Sequence, residues 1–77
     1  MSKNKNVFEC TMRRFGEESE VRWAVTLPDG YFIKSGIADA GNLDDSLATA
    51  WTDMKAAMGE NCTFNMNFDM RKDSERK

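Results

Sequence analysis

Four segments of the chain alternate between apolar and polar residues, and each alternation predicts a β-strand with one buried face. These segments span residues 7–15, 20–27, 31–37 and 62–70. The last segment is the most regular, because every second residue from Cys62 to Met70 is apolar. Turns are predicted from Gly16 and at residues 28–30 (Pro-Asp-Gly), where glycine and proline favour chain reversal. The first three strands are therefore expected to form two successive hairpins.

Between the third and fourth segments the apolar residues recur at steps of three and four, which predicts an amphipathic helix. The apolar stripe of this helix comprises Leu43, Leu47, Ala50, Trp51, Met54 and Met58. Asn42 is a favourable N-cap, and Asp45 supplies an acid three residues later, as in a capping box. Gly59 is suited to end the helix, because glycine adopts positive φ without strain.

The predicted fold is α+β, in the order β-β-β-α-β, with one helix packed on one face of a four-stranded, mostly antiparallel sheet. A single domain is expected over residues 7–70, with polar tails at 1–6 and 71–77 that have little to bury and are expected to be disordered. The helix is a crossover that brings the fourth strand parallel to either the first or the third. Tyr31 and Ile37 are also expected to point inward. The predicted core comprises Phe8, Met12, Val21, Trp23, Val25, Ile33, Leu47, Trp51, Met54, Phe64, Met66 and Phe68.

The sheet face that the helix does not cover is one candidate binding surface. The alternation assigns to it Glu9, Thr11, Arg13, Phe15, Arg22, Ala24, Thr26, Phe32, Lys34, Thr63, Asn65 and Asn67. Six of these residues are of types that stack on bases or contact phosphates, namely Arg13, Arg22, Phe32, Lys34, Asn65 and Asn67. They indicate an alternative function in nucleic-acid binding. Solvated strands also carry such residues routinely, and the acidic charge of the chain opposes nucleic acid.

A second candidate surface is acidic. The formal net charge is -2, but residues 15–70 hold ten acids and only three basic residues, and basic residues prevail at both ends. The acids predicted to bind a partner are Glu17, Glu18, Glu20, Asp29, Asp44 and Asp45. A concentrated acidic surface can dock on a basic groove of a nucleic-acid-binding protein. The alternative interpretation is a solubilising surface, with Asp44 and Asp45 complementing the helix dipole.

Catalytic and metal-binding constellations are not expected. The chain has no histidine, which removes the usual general base and a common zinc ligand. Its two cysteines, Cys10 and Cys62, fall on predicted core faces, where reduced thiols behave as small hydrophobes. They could be neighbours if the fourth strand lay beside the first. We therefore expect neither an enzyme nor a cofactor, and the absence of an apolar leader or span predicts a cytoplasmic protein without a membrane partner.

The outer face of the predicted helix carries mostly small side chains, at Asp45, Ala48, Thr52, Lys55 and Ala56. Small residues allow another element to approach closely, so both a monomer and a homodimer stay open. The alternative interpretation is a row of good helix formers facing water.

The segment Asn42-Leu43-Asp44-Asp45-Ser46-Leu47-Ala48-Thr49-Ala50-Trp51, following two hairpins, resembles the helix opening of HicB-like antitoxin domains. It is also similar to that of the small phage inhibitor of bacterial RNA polymerase. Size and mixed charge further resemble phage-encoded anti-defence proteins, including anti-CRISPR proteins. The resemblance implies an inhibitor that binds a host protein or nucleoprotein complex and acts by steric occlusion. It implies no role for any particular residue.

Overall fold

The computed structural model describes residues 7–59 and 61–75. Its elements follow the predicted order: β1 (Val7–Arg14), β2 (Val21–Thr26), β3 (Phe32–Ala38), α1 (Leu43–Met58) and β4 (Thr63–Asp69), with a short 3-10 helix (Asp73–Glu75) after them. The sheet order is β3-β2-β1-β4; β1 and β3 are antiparallel to β2, and β4 is parallel to β1. The predicted α+β fold is confirmed. The N-terminal tail predicted at 1–6 lies outside the described residues.

The parallel pairing of β4 with β1 separates the two cysteines. Cys10 lies opposite Met66, whereas Cys62 precedes the first paired residue of β4, Thr63, which lies opposite Val7. β4 lies beside β1, but the possibility that this makes the cysteines neighbours is not realised, because four residues of strand span about 13 Å. Both thiols are free; Cys10 is buried, and Cys62 is half-buried with its Sγ donating to the Met58 carbonyl at 3.4 Å.

A β-bulge in β3 changes which side chains face the helix. The pairing with β2 shifts by one residue between Val25 and Thr26, which leaves Ile33 as the extra residue. Beyond the bulge, every residue of β3 points to the face opposite to the one that simple alternation predicts. Lys34 therefore lies on the helix face, and Ile37 lies on the open face with 60% of its surface exposed. Both predicted orientations were wrong for this reason. Tyr31, which was also expected to point inward, precedes β3 and is 67% exposed.

Helix α1 begins and ends as its sequence predicts. The Asn42 side chain accepts a hydrogen bond from the Asp45 backbone at 2.9 Å and donates one to the Asp45 carboxylate at 2.9 Å. Gly59 has a φ of 93° and donates its N–H to the Lys55 carbonyl. The buried residues of the helix itself are Ser46, Ala50 and Met54.

The hydrophobic core lies between α1 and the β2–β3 half of the sheet, where the helix makes most of its contacts. Its buried apolar residues are Cys10, Met12, Val21, Trp23, Val25, Ala38, Ala50 and Met54. Partly buried side chains at Phe8, Ile33, Leu47, Phe64 and Met66 pack against them. Because the helix is displaced from β4, two predicted core residues are not buried: Trp51 is 36% exposed and Phe68 is 60% exposed.

Residues 71–75, which the sequence assigns to a tail, lie against the turn between β1 and β2. Gly16 donates its N–H to the Asp73 carboxylate at 2.9 Å, and the Asp73 N–H donates to the Gly16 carbonyl at 3.2 Å. The Ser74 N–H donates to the Glu17 carboxylate at 3.0 Å. Across residues 7–59 and 61–75, no helix has the length and apolar character needed to cross a membrane.

Candidate binding surfaces

The open face of the sheet consists of three rows of side chains that cross all four strands in the order β3, β2, β1, β4. The first row is Phe32, Thr26, Glu9 and Asn65. The middle row is Ser35, Ala24, Thr11 and Asn67. The third row is Ile37, Arg22, Arg13 and Asp69. Because the middle row is made of short side chains on its first three strands, a hollow of about 410 Å³ forms there, with Arg13, Arg22 and Ile37 on its rim.

Two arginines of the third row lie directly opposite each other. Arg13 pairs with Arg22 across β1 and β2, an arrangement of like charges that is unfavourable by itself. The Arg22 guanidinium lies 3.5 Å from the centre of the Phe15 ring, and its Nε donates to the Glu20 carboxylate at 2.6 Å. On the other side of Arg13 the neighbouring residue in the row is Asp69. The contacts with Phe15 and Glu20 hold the Arg22 side chain in a defined position on the open face.

The formal charges of the three rows cancel. Arg13 and Arg22 are balanced by Glu9 and Asp69, and Lys34, which the sequence assigned to this surface, lies on the other face. The remaining residues predicted for the nucleic-acid alternative do share the open face, namely Arg13, Arg22, Phe32, Asn65 and Asn67. A surface that binds the phosphate backbone needs a surplus of positive charge. This face has none.

Six large apolar side chains are exposed among the described residues. Five of the eight aromatic residues belong to the exposed large hydrophobics. On the open face, Phe32 is 57% exposed at one end of β3 and Ile37 is 60% exposed near the other. Scattered exposed hydrophobics are ordinary, whereas apolar residues on one uncovered face beside a hollow are typical of a binding surface.

The predicted acidic residues divide between the two ends of the sheet. Ser19 in the β1–β2 turn donates to Asp39 in the loop before α1 at 2.6 Å, so this turn and the start of the helix share one end. The acids at that end are Glu17, Glu18, Glu20, Asp44 and Asp45. Asp29 lies at the opposite end, in the β2–β3 turn, so the six acids do not form one surface.

Four of these six acids have intramolecular partners. The carboxylates of Glu17, Glu20 and Asp45 accept from the Ser74 N–H, the Arg22 Nε and the Asn42 side-chain amide, respectively. Asp29 accepts from the Tyr31 N–H at 3.0 Å, which stabilises its turn. These contacts give the four carboxylates structural roles in turns, a cap and an ion pair. Glu18 and Asp44 are exposed.

A groove of about 720 Å³ separates the C-terminal half of α1 from the beginning of β4. Its lining residues are Trp51, Thr52, Lys55, Ala56, Gly59, Cys62 and Phe64. The Trp51 and Phe64 rings meet edge to face with centroids 6.4 Å apart, and the Lys55 ammonium lies 5.0 Å from the Trp51 ring. The sequence did not predict this groove, because it depends on the displacement of the helix toward β3. Its one signal was the row of small residues on the outer helix face, part of which lines it.

The buried thiol of Cys10 is unsuited to nucleophilic chemistry. Burial raises the pKa of Cys10 to about 11, because the apolar core disfavours the thiolate. The nucleophile in thiol chemistry is the thiolate, so a neutral buried thiol is inert. We therefore assign Cys10 a role in packing.

Comparison of the chain with protein-family models, with curated proteins and with solved structures found no match. The functional interpretation therefore rests on the geometry and chemistry of these surfaces. Among them, the open face combines exposed apolar residues, a hollow and an oriented arginine.

Proposed function

We propose that this chain is a non-enzymatic protein-binding module whose docking surface is the open face of the sheet. The observation that carries the proposal is the position of Phe32 and Ile37. Each is more than half exposed, and they lie near opposite ends of β3 on the face that carries the hollow. Burying such side chains against a partner gains about 25 cal/mol for each Å² of apolar surface removed from water.

The other side chains of the open face suit a protein partner. Arginine and aromatic residues are enriched in protein interfaces, and residues in well-packed pockets contribute most of the binding energy. Arg22 is already oriented by Phe15 and Glu20, so it loses little side-chain freedom on binding. The short side chains of the hollow leave room for an anchoring side chain of the partner.

The proposed action is steric. A rigid sheet that covers a surface of a host protein or nucleoprotein complex would inhibit that partner without chemistry, as phage-encoded inhibitors and anti-CRISPR proteins do. The two free cysteines fit a reducing compartment such as the cytoplasm. The acidic end formed by Glu17, Glu18, Glu20, Asp44 and Asp45 would favour a partner with a basic rim.

The test is affinity capture of the tagged full chain from a host lysate, with and without nuclease. Ile37→Asp should lose the captured partner, because it places a charge where an apolar contact is proposed. Tyr31→Asp is the matched control: Tyr31 is 67% exposed but belongs to the β2–β3 turn and none of the three rows. Circular dichroism checks that both variants fold.

A protein partner that survives nuclease, is lost with Ile37→Asp and is kept with Tyr31→Asp would support the proposal. Equal capture by both variants would place the docking surface elsewhere. Recovery of nuclease-sensitive material alone would favour the nucleic-acid alternative, in which the neighbouring Arg13 and Arg22 contact phosphates and Phe32, two rows away, stacks on a base.

A further inference from the structure

Strand β4 forms one edge of the sheet. Among the described residues it pairs with β1 on one side, and its other side offers backbone N–H and C=O groups to a further strand. Such an edge is a template for pairing with another chain. Natural proteins protect exposed edges with charged residues, proline, bulges or very short strands.

The two edges of this sheet differ in protection. Edge strand β3 contains the bulge at Ile33 and the charged Lys34, and Gly36 weakens its regular pairing further. Edge strand β4 pairs with β1 over seven consecutive residues without a register shift. Its residues 63–68 include no charged residue, proline or glycine. Residues 63–68 of the β4 edge are therefore uncharged and regularly paired, with the charge of Asp69 at the end of the strand.

The sequence of β4 is its own reverse around Met66. Residues 64–68 read Phe64-Asn65-Met66-Asn67-Phe68 in both directions. If two such strands pair antiparallel about a twofold axis at the central methionine, phenylalanine lies opposite phenylalanine and asparagine opposite asparagine. An isologous interface of this kind needs a surface that is complementary to itself, and this strand meets that requirement in every pair from 64 to 68.

We propose that a second copy of this chain pairs with β4 in antiparallel orientation about a twofold axis at Met66, which joins the two sheets into one of eight strands. The pairing is independent of the docking surface under Proposed function. It uses the edge of the sheet and leaves the open face of each copy free.

The apolar face of β4 is partly exposed in the single chain, and this pairing would bury more of it. Phe68 lies on the helix face beside Met12, yet it is 60% exposed because α1 packs over β2 and β3. In the paired strands, Phe68 of the second copy lies opposite Phe64, whose ring already contacts Trp51 and Phe8. The aromatic cluster thus extends across the axis. The helices lie over the strands farthest from the axis, so they do not obstruct the pairing.

The test compares two double variants at positions that lie opposite each other only in this register. Asn65 and Asn67 lie on the open face and are exposed in the single chain. Asn65→Lys with Asn67→Lys places like charges opposite each other twice across the axis. Asn65→Lys with Asn67→Glu places opposite charges there instead. The two variants differ at residue 67 alone, and circular dichroism verifies that both fold.

Sedimentation equilibrium of the full chain measures association from micromolar to millimolar concentration. The wild-type chain should sediment at twice its monomer mass of 8.8 kDa at the upper concentrations. The dimer dissociation constant of the dilysine variant should be about tenfold larger than that of the lysine–glutamate variant. This factor follows from the usual strength of two cross-strand charge pairs. A monomeric wild-type chain at millimolar concentration would overturn the proposal. So would a dimer that both variants form equally well, because its interface would then lie elsewhere.

Discussion

Gly36 packs closely against the indole of Trp23, and this contact allows a specific prediction. Gly36 of β3 lies opposite Trp23 of β2. A Cβ added at Gly36 would lie 2.6 Å from both Cε2 and Cζ2 of the indole and 2.7 Å from its Nε1. Real Cβ atoms do not approach other atoms so closely, so Gly36→Ala must displace either the ring or the strand. The ring has little room to move, because it is only 5% exposed and belongs to the core.

The free energy of unfolding should therefore fall with Gly36→Ala. Overpacking a filled core costs about 1–3 kcal/mol. Without the clash, alanine at a strand position would stabilise the fold by about 0.4–1 kcal/mol through the unfolded state. The sign of the change thus reports the clash. For a domain of this size, each kcal/mol lowers Tm by about 4–8 °C.

The assay is urea unfolding followed by circular dichroism, with all variants at one protein concentration. Trp23→Phe removes the three indole atoms that the new Cβ would meet. In that background Gly36→Ala should cost little, which a double-mutant cycle measures directly. Trp23→Phe also removes a buried indole N–H that has no hydrogen-bond partner among the described residues. Its removal offsets part of the stability lost with the smaller side chain. Ser35→Ala, on the open face beside Gly36, is the control and should change stability by less than about 0.5 kcal/mol.

Two results would refute this reasoning. If Gly36→Ala is as stable as the wild-type chain, the indole does not pack on β3. An equal loss with and without Trp23→Phe would mean that the destabilisation comes from the strand backbone.

The remaining predictions concern the helix cap and the cysteines. Asn42→Ala should lower the free energy of unfolding by about 1 kcal/mol, while Asn42→Ser restores most of it, because serine also accepts from the Asp45 N–H. A thiol reagent should modify half-buried Cys62 in the folded chain and Cys10 only after unfolding; equal rates would contradict the burial. Since folding raises the pKa of Cys10 from 9.0 to about 11, stability should decline as pH rises through that interval, and Cys10→Ala should reduce the decline in urea titrations.

Local patterns predicted the elements of the fold because strand alternation and helix caps depend on residues that are close together in the sequence. Alternation identified four strands, and Asn42 and Gly59 identified the helix ends. The bulge escaped prediction because it depends on a contact between strands. Without Ile33 as an extra residue, Ser35 would lie opposite Trp23; with it, Gly36 does. A glycine inside a strand was the one signal that a large side chain of another strand lies close to that backbone.

The binding surfaces were predicted less well, because they depend on how elements are placed relative to one another. The open face was identified from alternation. The bulge, however, places Lys34 on the helix face and Ile37 on the open face, so the open face has an apolar side chain in place of a predicted charge. The groove beside Trp51 depends on the position of α1 over β2 and β3, which no local pattern specifies. The acids near the turns were found, while their hydrogen-bond partners became visible only in the folded chain.

Site-specific photo-crosslinking tests most directly whether the open face binds a protein. Ser35, exposed in the hollow, is replaced by a benzophenone amino acid in the tagged full chain, and exposed Ala48 on the outer face of α1 carries the same group as a control. After illumination in host lysate, the account predicts a protein adduct from position 35 that resists nuclease, and none from position 48. An adduct from position 48 alone, or only a nucleic-acid adduct from position 35, would contradict it.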